Sequence, residues 1–331
     1  MTFENIIKDI HNKIYYPVYF LQGEEAYFID CISDFIEQSV LNEAEREFNQ
    51  SVVYGRDVDV KSIIDLARQY PMAANHNVVI VKEAQDIKKI DDILPYFSNP
   101  TPTSIVVICY KYKKISKKAF IEKINKIGVV FDAKSLYDNQ IPQWITKYLA
   151  EKGFPIDVHA STLLAENLGS DLSKIVNELG KLMINLPAGT KVTPEIVEEN
   201  IGISKDFNVF ELNKALSYRD VVKANRIVNY FAANPNDHPM VLVIGQLNAH
   251  FTKILLYNSL KDKSKNNAAS ALGINAFFLN DYIKGGSNFP INKLYEVFGL
   301  LREFDMRSKG VNNESATTGD LLRELIFKIL H

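Results

Sequence analysis

The sequence predicts a chain of two characters: an α/β domain built on a parallel sheet, then segments that are all α-helical. Three observations predict this. Short apolar runs alternate with amphipathic helical spacing as far as Asp138. Two of those runs, NVVIV and SIVVICY, are continuously apolar, as strands covered on both faces of a helix-flanked parallel sheet are. Beyond Asp138 the period changes, and each long segment carries helical spacing.

The candidate strands are Val18 to Leu21, Val52 to Tyr54, Val78 to Val81, Ile105 to Cys109 and Val129 to Phe131. The first helical segment after them begins near Asn139. It puts Ile141, Trp144, Ile145, Tyr148 and Leu149 on one face, with Trp144 expected in the core, and stops at Lys152-Gly153. Leu172, Ile175, Val176, Leu179, Leu182 and Met183 repeat the pattern behind a Ser170/Asp171 cap, and Thr193-Pro194-Glu195 opens another helix with Pro at its first position. Three short helices are thus expected between 138 and 205. GISKDFN marks a boundary, and five or six amphipathic helices are expected from Val209 onward, separated by NPNDHP, KDKSKNNA and KGGSNFP. The resulting division is 1–137, 138–205 and 206–331.

At 331 residues, 47% hydrophobic and 24% charged, the chain has the balance of a globular protein with a real core. A formal charge of −2 excludes a surface that grips nucleic acid all over and leaves only local basic patches. Cys31 and Cys109 sit in apolar contexts and read as buried thiols. The N-terminal MTFENIIKDIHNKI lacks the continuous apolar stretch of a secretory signal, and no window reaches about 18 apolar residues. A cytoplasmic protein with no membrane partner is expected.

The stretch VYFLQGEEAYFID (18–30) has the outline of a phosphate-binding strand-turn-helix, but it supplies one Gly, two glutamates and no Gly-Lys-Ser/Thr. Two carboxylates there would repel a triphosphate, so a turn that does not bind ATP tightly is expected. An ordinary strand-to-helix turn with Glu at the helix start fits the same residues. No HExxH, GxSxG or CxxC is present, and the six histidines form no i, i+4 pair. Acidic neighbours such as Glu24-Glu25, Asp91-Asp92 and Glu198-Glu199 diverge by about 100° on a helix, as solvated or first-turn charges do. No catalytic residue, metal site or cofactor is expected.

Two features stand out as binding candidates. Lys111, Lys113, Lys114, Lys117, Lys118, Lys123 and Lys126 follow directly on SIVVICY, at the edge where parallel sheets place ligands. They read either as contacts to DNA or to an acidic neighbour, or as the solvated side of a helix with Phe120, Ile121, Ile124 and Ile127 facing in. The second is LARQYPMAAN (66–75). A helix from Val60 should end near Gln69, ahead of Pro71, and present Tyr70, Pro71 and Met72 in the loop before NVVIV. Apolar residues there either cover the core or plug a partner's pocket.

Taken in order, VYFLQGEEAYFID, ARQYPMAANHNVVIVKEAQ, LGSDLSKIVNELGKL, IGISKDFNVFELNKAL and the closing LLREFDMRSKG and LLRELIFKIL resemble the delta-subunit family of bacterial DNA polymerase III. These are clamp-loader subunits that open the sliding clamp, and the likeness covers nearly the whole chain. It implies an AAA+-like α/β domain without a working P-loop (1–137), a small helical lid (138–205) and a helical collar (206–331). It implies no catalysis by this chain itself, which would serve a DNA-directed DNA polymerase, a nucleotidyltransferase. The implied partners are the sliding clamp (beta), the tau/gamma ATPase subunits, delta-prime and primed DNA in the assembled complex. The family's clamp contact falls here on Leu66, Tyr70, Pro71, Met72 and Ala73; relatives commonly place two bulky apolar residues at the tip, and Ala73 leaves Met72 as the principal anchor. Lys111, Lys113, Lys114, Lys117 and Lys118 are the candidate DNA or subunit contacts, and a stand-alone DNA-binding adaptor using them is the alternative function.

Overall fold

Each of the five apolar runs is a strand: β1 (Val18–Gly23), β2 (Gln50–Tyr54), β3 (Asn77–Lys82), β4 (Ser104–Lys111) and β5 (Val129–Ala133). They form one sheet in the order β2-β3-β4-β1-β5, with all pairings parallel. The computed structural model describes residues 1–313 and 315–331 and divides into two units, 1–136 and 137–331.

In the first unit the helices are α1 (Phe3–His11), α2 (Ala26–Ser39), α3 (Glu43–Asn49), α4 (Val60–Ala67), α5 (Leu94–Phe97) and α6 (Lys118–Asn125). Alternate strand residues face opposite ways, and the two cores follow that period. Val18, Phe20, Val79, Val81, Val106 and Ile108 pack with Ile63, Phe97, Phe120 and Ile124 of α4, α5 and α6. Tyr19, Leu21, Val78, Ile80, Ile105 and Val107 pack with Ile6 and Ile10 of α1 and Ile29, Ile32 and Ile36 of α2. The continuous Val/Ile runs are therefore explained by helices on both faces. Cys109 lies in the second core, where burial pushes its thiol up to about 12, and Cys31 is half-buried on α2.

The second unit is helical: α7 (Ile141–Glu151), α8 (Val158–Leu168), α9 (Leu172–Asn185), α10 (Pro194–Ile201), α11 (Val209–Tyr218), α12 (Val221–Ala233), α13 (Met240–Ser259), α14 (Lys265–Leu272), α15 (Leu279–Asn288), α16 (Ile291–Ser308) and α17 (Thr318–Leu330). Four helices, not three, lie between 138 and 205. The one missed is α8, whose buried face of Ala160, Ser161, Leu163 and Leu164 mixes small and polar residues and blurs the apolar period. Trp144 is half-buried rather than core. Ile141, Ile145 and Leu149 fill α7's buried stripe, and Trp144 stacks beside it on Tyr148 with ring centroids 5.3 Å apart.

Beyond Val209 seven helices, rather than five or six, occur among the described residues. The extra elements come from two stretches expected to be breaks. KDKSKNNA contains the start of α14, and KGGSNFP is helical through Asn288, with only Phe289-Pro290 between α15 and α16. The glycines are there for packing. A Cβ on Gly285 would lie 2.7 Å from Ile254 Cδ1, and one on Gly286 would lie 2.5 Å from Asn258 Oδ1, so α15 approaches α13 where side chains are missing.

By length and composition α13 is apolar enough to cross a membrane. Met240, Val243, Ile244, Leu247, Phe251 and Ile254 are buried in the helical core with residues of α11, α12, α16 and α17, so its apolar length is explained by burial on several sides. His250 on the same helix shares a 2.9 Å hydrogen bond with Ser217, and burial holds its imidazole down to about 3.

Substitution of glycines should separate these roles. Gly285→Leu is expected to destabilise the chain by about 1–3 kcal/mol through overpacking. Gly299→Ala, where a Cβ meets nothing within 4 Å, should stabilise α16 by about 0.5–1 kcal/mol. Denaturant unfolding of the two variants against wild type checks both signs.

Candidate functional site

The first locus is the carboxyl edge of the sheet. Gly23 ends β1 opposite Lys111 of β4 on one side and Ala133 of β5 on the other. Its φ of +133° suits glycine, and a Cβ there would sit 2.2 Å from the Ala133 carbonyl oxygen. That carbonyl accepts the N–H groups of Glu24 and Glu25 at 2.8 and 3.2 Å. The Glu25 carboxylate in turn accepts from the Tyr27 N–H at 3.3 Å and caps α2. Gln22 is buried, its side-chain oxygen accepting from the Ile115 N–H at 2.9 Å. The Glu24, Glu25 and Tyr27 N–H groups, with which such a turn could hold a phosphate, are thus engaged within the protein, and the helix start carries its own anion.

Lys111 is a correction to the lysine cluster. It is buried, and its ammonium lies 2.8 Å from Asp30 Oδ1 and 2.7 Å from Glu83 Oε1. Burial alone would lower its pKa, but the hydrogen bonds and charges of the two carboxylates raise it above the usual lysine value. Glu83 responds in the opposite sense. Burial would raise it, and hydrogen bonds from Lys111 and Gln85 outweigh that and lower it. Lys82 beside it meets Asp34 and Glu37 at 3.2 and 3.1 Å, so a stripe of α2 carboxylates is bound to the sheet edge through lysines. The other candidates lie outside: Lys114 pairs with Asp132, Lys117 with Asp91 and Lys118 with Glu122, while Lys113 is exposed. The helix they introduce buries Phe120 and Ile124 on its inner side.

The second locus is the loop after α4. The helix ends at Ala67 with Arg68 as its cap. Leu66 is half-buried against the sheet core, Pro71 is half-buried, and Tyr70 and Met72 are 80% and 66% exposed. Ala73 is exposed too, and its φ of +50° is strained for a residue with a Cβ. What holds the tip is Asn49, at the end of α3 and only 2% exposed. Its side-chain oxygen accepts from the Met72 N–H at 2.6 Å, and its amide nitrogen donates to the Met72 carbonyl at 3.0 Å. Asn77 donates to the Leu66 carbonyl at 2.9 Å, and the Tyr96 hydroxyl donates to that of Ala67 at 3.2 Å. Of the five expected tip residues, the fold turns Tyr70, Met72 and Ala73 outward and draws Leu66 inward.

Sequence reading missed Asn49, Asn77 and Tyr96. One signal was available: Asn is a side chain carrying both a donor and an acceptor, and one at a helix-to-strand junction can satisfy both groups of a peptide elsewhere. Which peptide it reaches, 23 residues away, is set by the fold.

Comparison with known proteins places these loci. Residues 19–134, which include both, match the model of the family described as DNA polymerase III, delta subunit. Over those residues the chain is similar to the DNA polymerase III delta-subunit family. The family's DNA polymerase III subunit delta of Bacillus subtilis is 23% identical over 254 residues, 73% of this chain and 73% of its own length. A probable DNA polymerase III subunit delta of Aquifex aeolicus is 23% identical over 298 residues, 84% of this chain and 82% of its own. The solved Bacillus subtilis DNA clamp loader delta protein shares the fold with a TM-score of 0.54 at 19% identity, covering 99% of both chains. The parallel sheet followed by helices is thus the architecture this chain shares with that protein.

Two stability tests follow from the geometry. Lys111→Met should cost about 2–3 kcal/mol at neutral pH, below the roughly 3–5 kcal/mol of a fully enclosed pair because Asp30 and Glu83 remain about one-third exposed. Glu83's folded pKa is below its usual 4.5, so its contribution is present above that value and is lost as pH falls beneath it; the gap between wild type and variant should narrow there in urea titrations. Asn49→Ala should cost about 1–3 kcal/mol and speed hydrogen exchange at the Met72 amide more than at strand amides of β3.

Proposed function

We propose that this chain is the non-catalytic subunit of a clamp loader that binds the sliding clamp and opens it, so that ATPase neighbours can load the ring on primed DNA. The observation that carries the proposal is the Met72 tip: an apolar side chain held outside the fold while its own peptide is fixed by a buried asparagine. Fixing the tip beforehand lowers the ordering cost of inserting it into a partner's pocket. Tyr70 beside it adds an aromatic surface of the kind that anchors interfaces. Ring opening needs no chemistry from this chain. If the tip fits an opened clamp interface better than a closed one, binding shifts the ring toward opening by that difference in affinity.

The engaged turn at Gln22 to Glu25 supports a division of labour in which nucleotide acts on the neighbours, the tau/gamma ATPases, with delta-prime completing the assembly. On this reading the helical unit divides near residue 205 into a lid and a collar, the collar being the segment that assembles with other subunits, and the complex works in the cytoplasm. The exposed lysines beyond β4 serve within that complex. Lys114, Lys117 and Lys118 already face acidic partners in the same chain, which weakens a stand-alone DNA adaptor.

Burial of one methionine is worth roughly 1.5–3 kcal/mol, against about 8 kcal/mol for a micromolar complex, so the tip cannot act alone. Even so, a charge in the pocket would be prohibitive. Met72→Asp should abolish capture of the sliding clamp from the same source in a pull-down and leave the circular dichroism spectrum unchanged; a variant that still captures the clamp refutes the assignment. Calorimetry of the purified chain with ATP should give no binding heat, and a measurable affinity would turn the reading toward a nucleotide-driven subunit.

A further inference from the structure

We propose that Phe48, at the end of α3, is a second apolar anchor for the same protein partner that receives Met72. The proposal rests on the clamp-binding reading and adds a second element to it. Phe48 is 64% exposed and directly precedes Asn49, the residue bonded to both backbone groups of Met72. The two hydrogen bonds join the end of α3 to the tip, so a partner that seats on Met72 has the helix end that carries Phe48 beside it. Helix α3 is itself fixed at its other end. Asn42 and Glu45 close a reciprocal capping box, and the Arg46 guanidinium donates to the carbonyls of Leu41 and Gln38. Both anchors therefore stand on backbone that is ordered before any partner arrives, which lowers the ordering cost of using them together.

Large apolar side chains exposed one at a time are ordinary; here the exposed Phe48 directly precedes, and the exposed Met72 is bonded through its backbone to, the same buried asparagine. A single methionine falls short of the affinity a ring-opening contact needs, and Phe48 is the large apolar side chain that the Asn49 clamp ties to it. The occupant is accordingly the clamp ring, with apolar surface for two side chains carried on two elements.

Titration calorimetry of the full chain against the sliding clamp from the same source tests the inference. Phe48→Ala should weaken binding about tenfold to thirtyfold with an unchanged melting temperature, because the side chain is mostly outside the core. Tyr295→Ala, a similarly exposed aromatic in the helical unit, should bind as wild type does. If Met72→Asp abolishes binding and Phe48→Ala binds like wild type, the second anchor is wrong and the clamp reading stands. If Met72→Asp binds normally, the clamp reading itself fails. A wild-type dimer in sedimentation that Phe48→Ala dissolves would assign this residue to self-association and overturn the inference.

Discussion

Lys111 ends β4 with its ammonium between a carboxylate of α2 and another just beyond β3, and the neighbouring elements take their places around that pairing. A strand buried on both faces has no lateral outlet for a charge, so a lysine at its end must be met at the sheet edge or left expensively desolvated. Asp30 and Glu83 meet it. In doing so they bind α2 to the edge, while the faces of β1, β3 and β4 are covered mainly by apolar contacts. The same edge is where parallel sheets usually keep a crevice open for ligands. Here Gly23 packs onto Ala133, Gln22 bonds to the Ile115 peptide, and the lysine is enclosed.

Much of this was legible in the residues, and the reasons differ by element. NVVIV and SIVVICY announced buried parallel strands because two-sided burial leaves no polar position to misread. The end of α4 was legible too, since a proline pushes the residue before it out of the helical region, while whether the loop's apolar residues cover the core or stand exposed was not. The misses share a cause, which is that sequence spacing reports periodicity and not neighbours. Helix α8 was passed over because Ser161 is buried in its apolar face, satisfied by a backbone carbonyl. KGGSNFP read as a break because two glycines resemble a loop unless the close approach of α13 is known. Trp144 had a core residue's spacing but lies beside the buried stripe rather than in it.

Charge was the harder signal. Seven lysines in a row of segments read as one patch, yet the first of them faces inward and three others have acidic partners within the chain. A strand end and a loop a few residues apart point to different solvents, and composition averages over that difference. The tip shows the reverse case. Tyr70 and Met72 were visible as residues, while their support, Asn49, lay in a segment with no apparent connection to them.

The turn at Gly23 to Glu25 also bears on time as well as on space. In a nucleotide-driven domain, the occupancy of such a turn divides the working cycle into phases, because the loop relaxes when its ligand leaves. Here the Glu24 and Glu25 amides are bonded to Ala133, and the helix is capped by its own carboxylate, so these groups hold the turn without a ligand. The turn is thus held by bonds within its own domain. On the proposed clamp-loading reading the domain would serve as a fixed jaw, set in motion from outside its own fold.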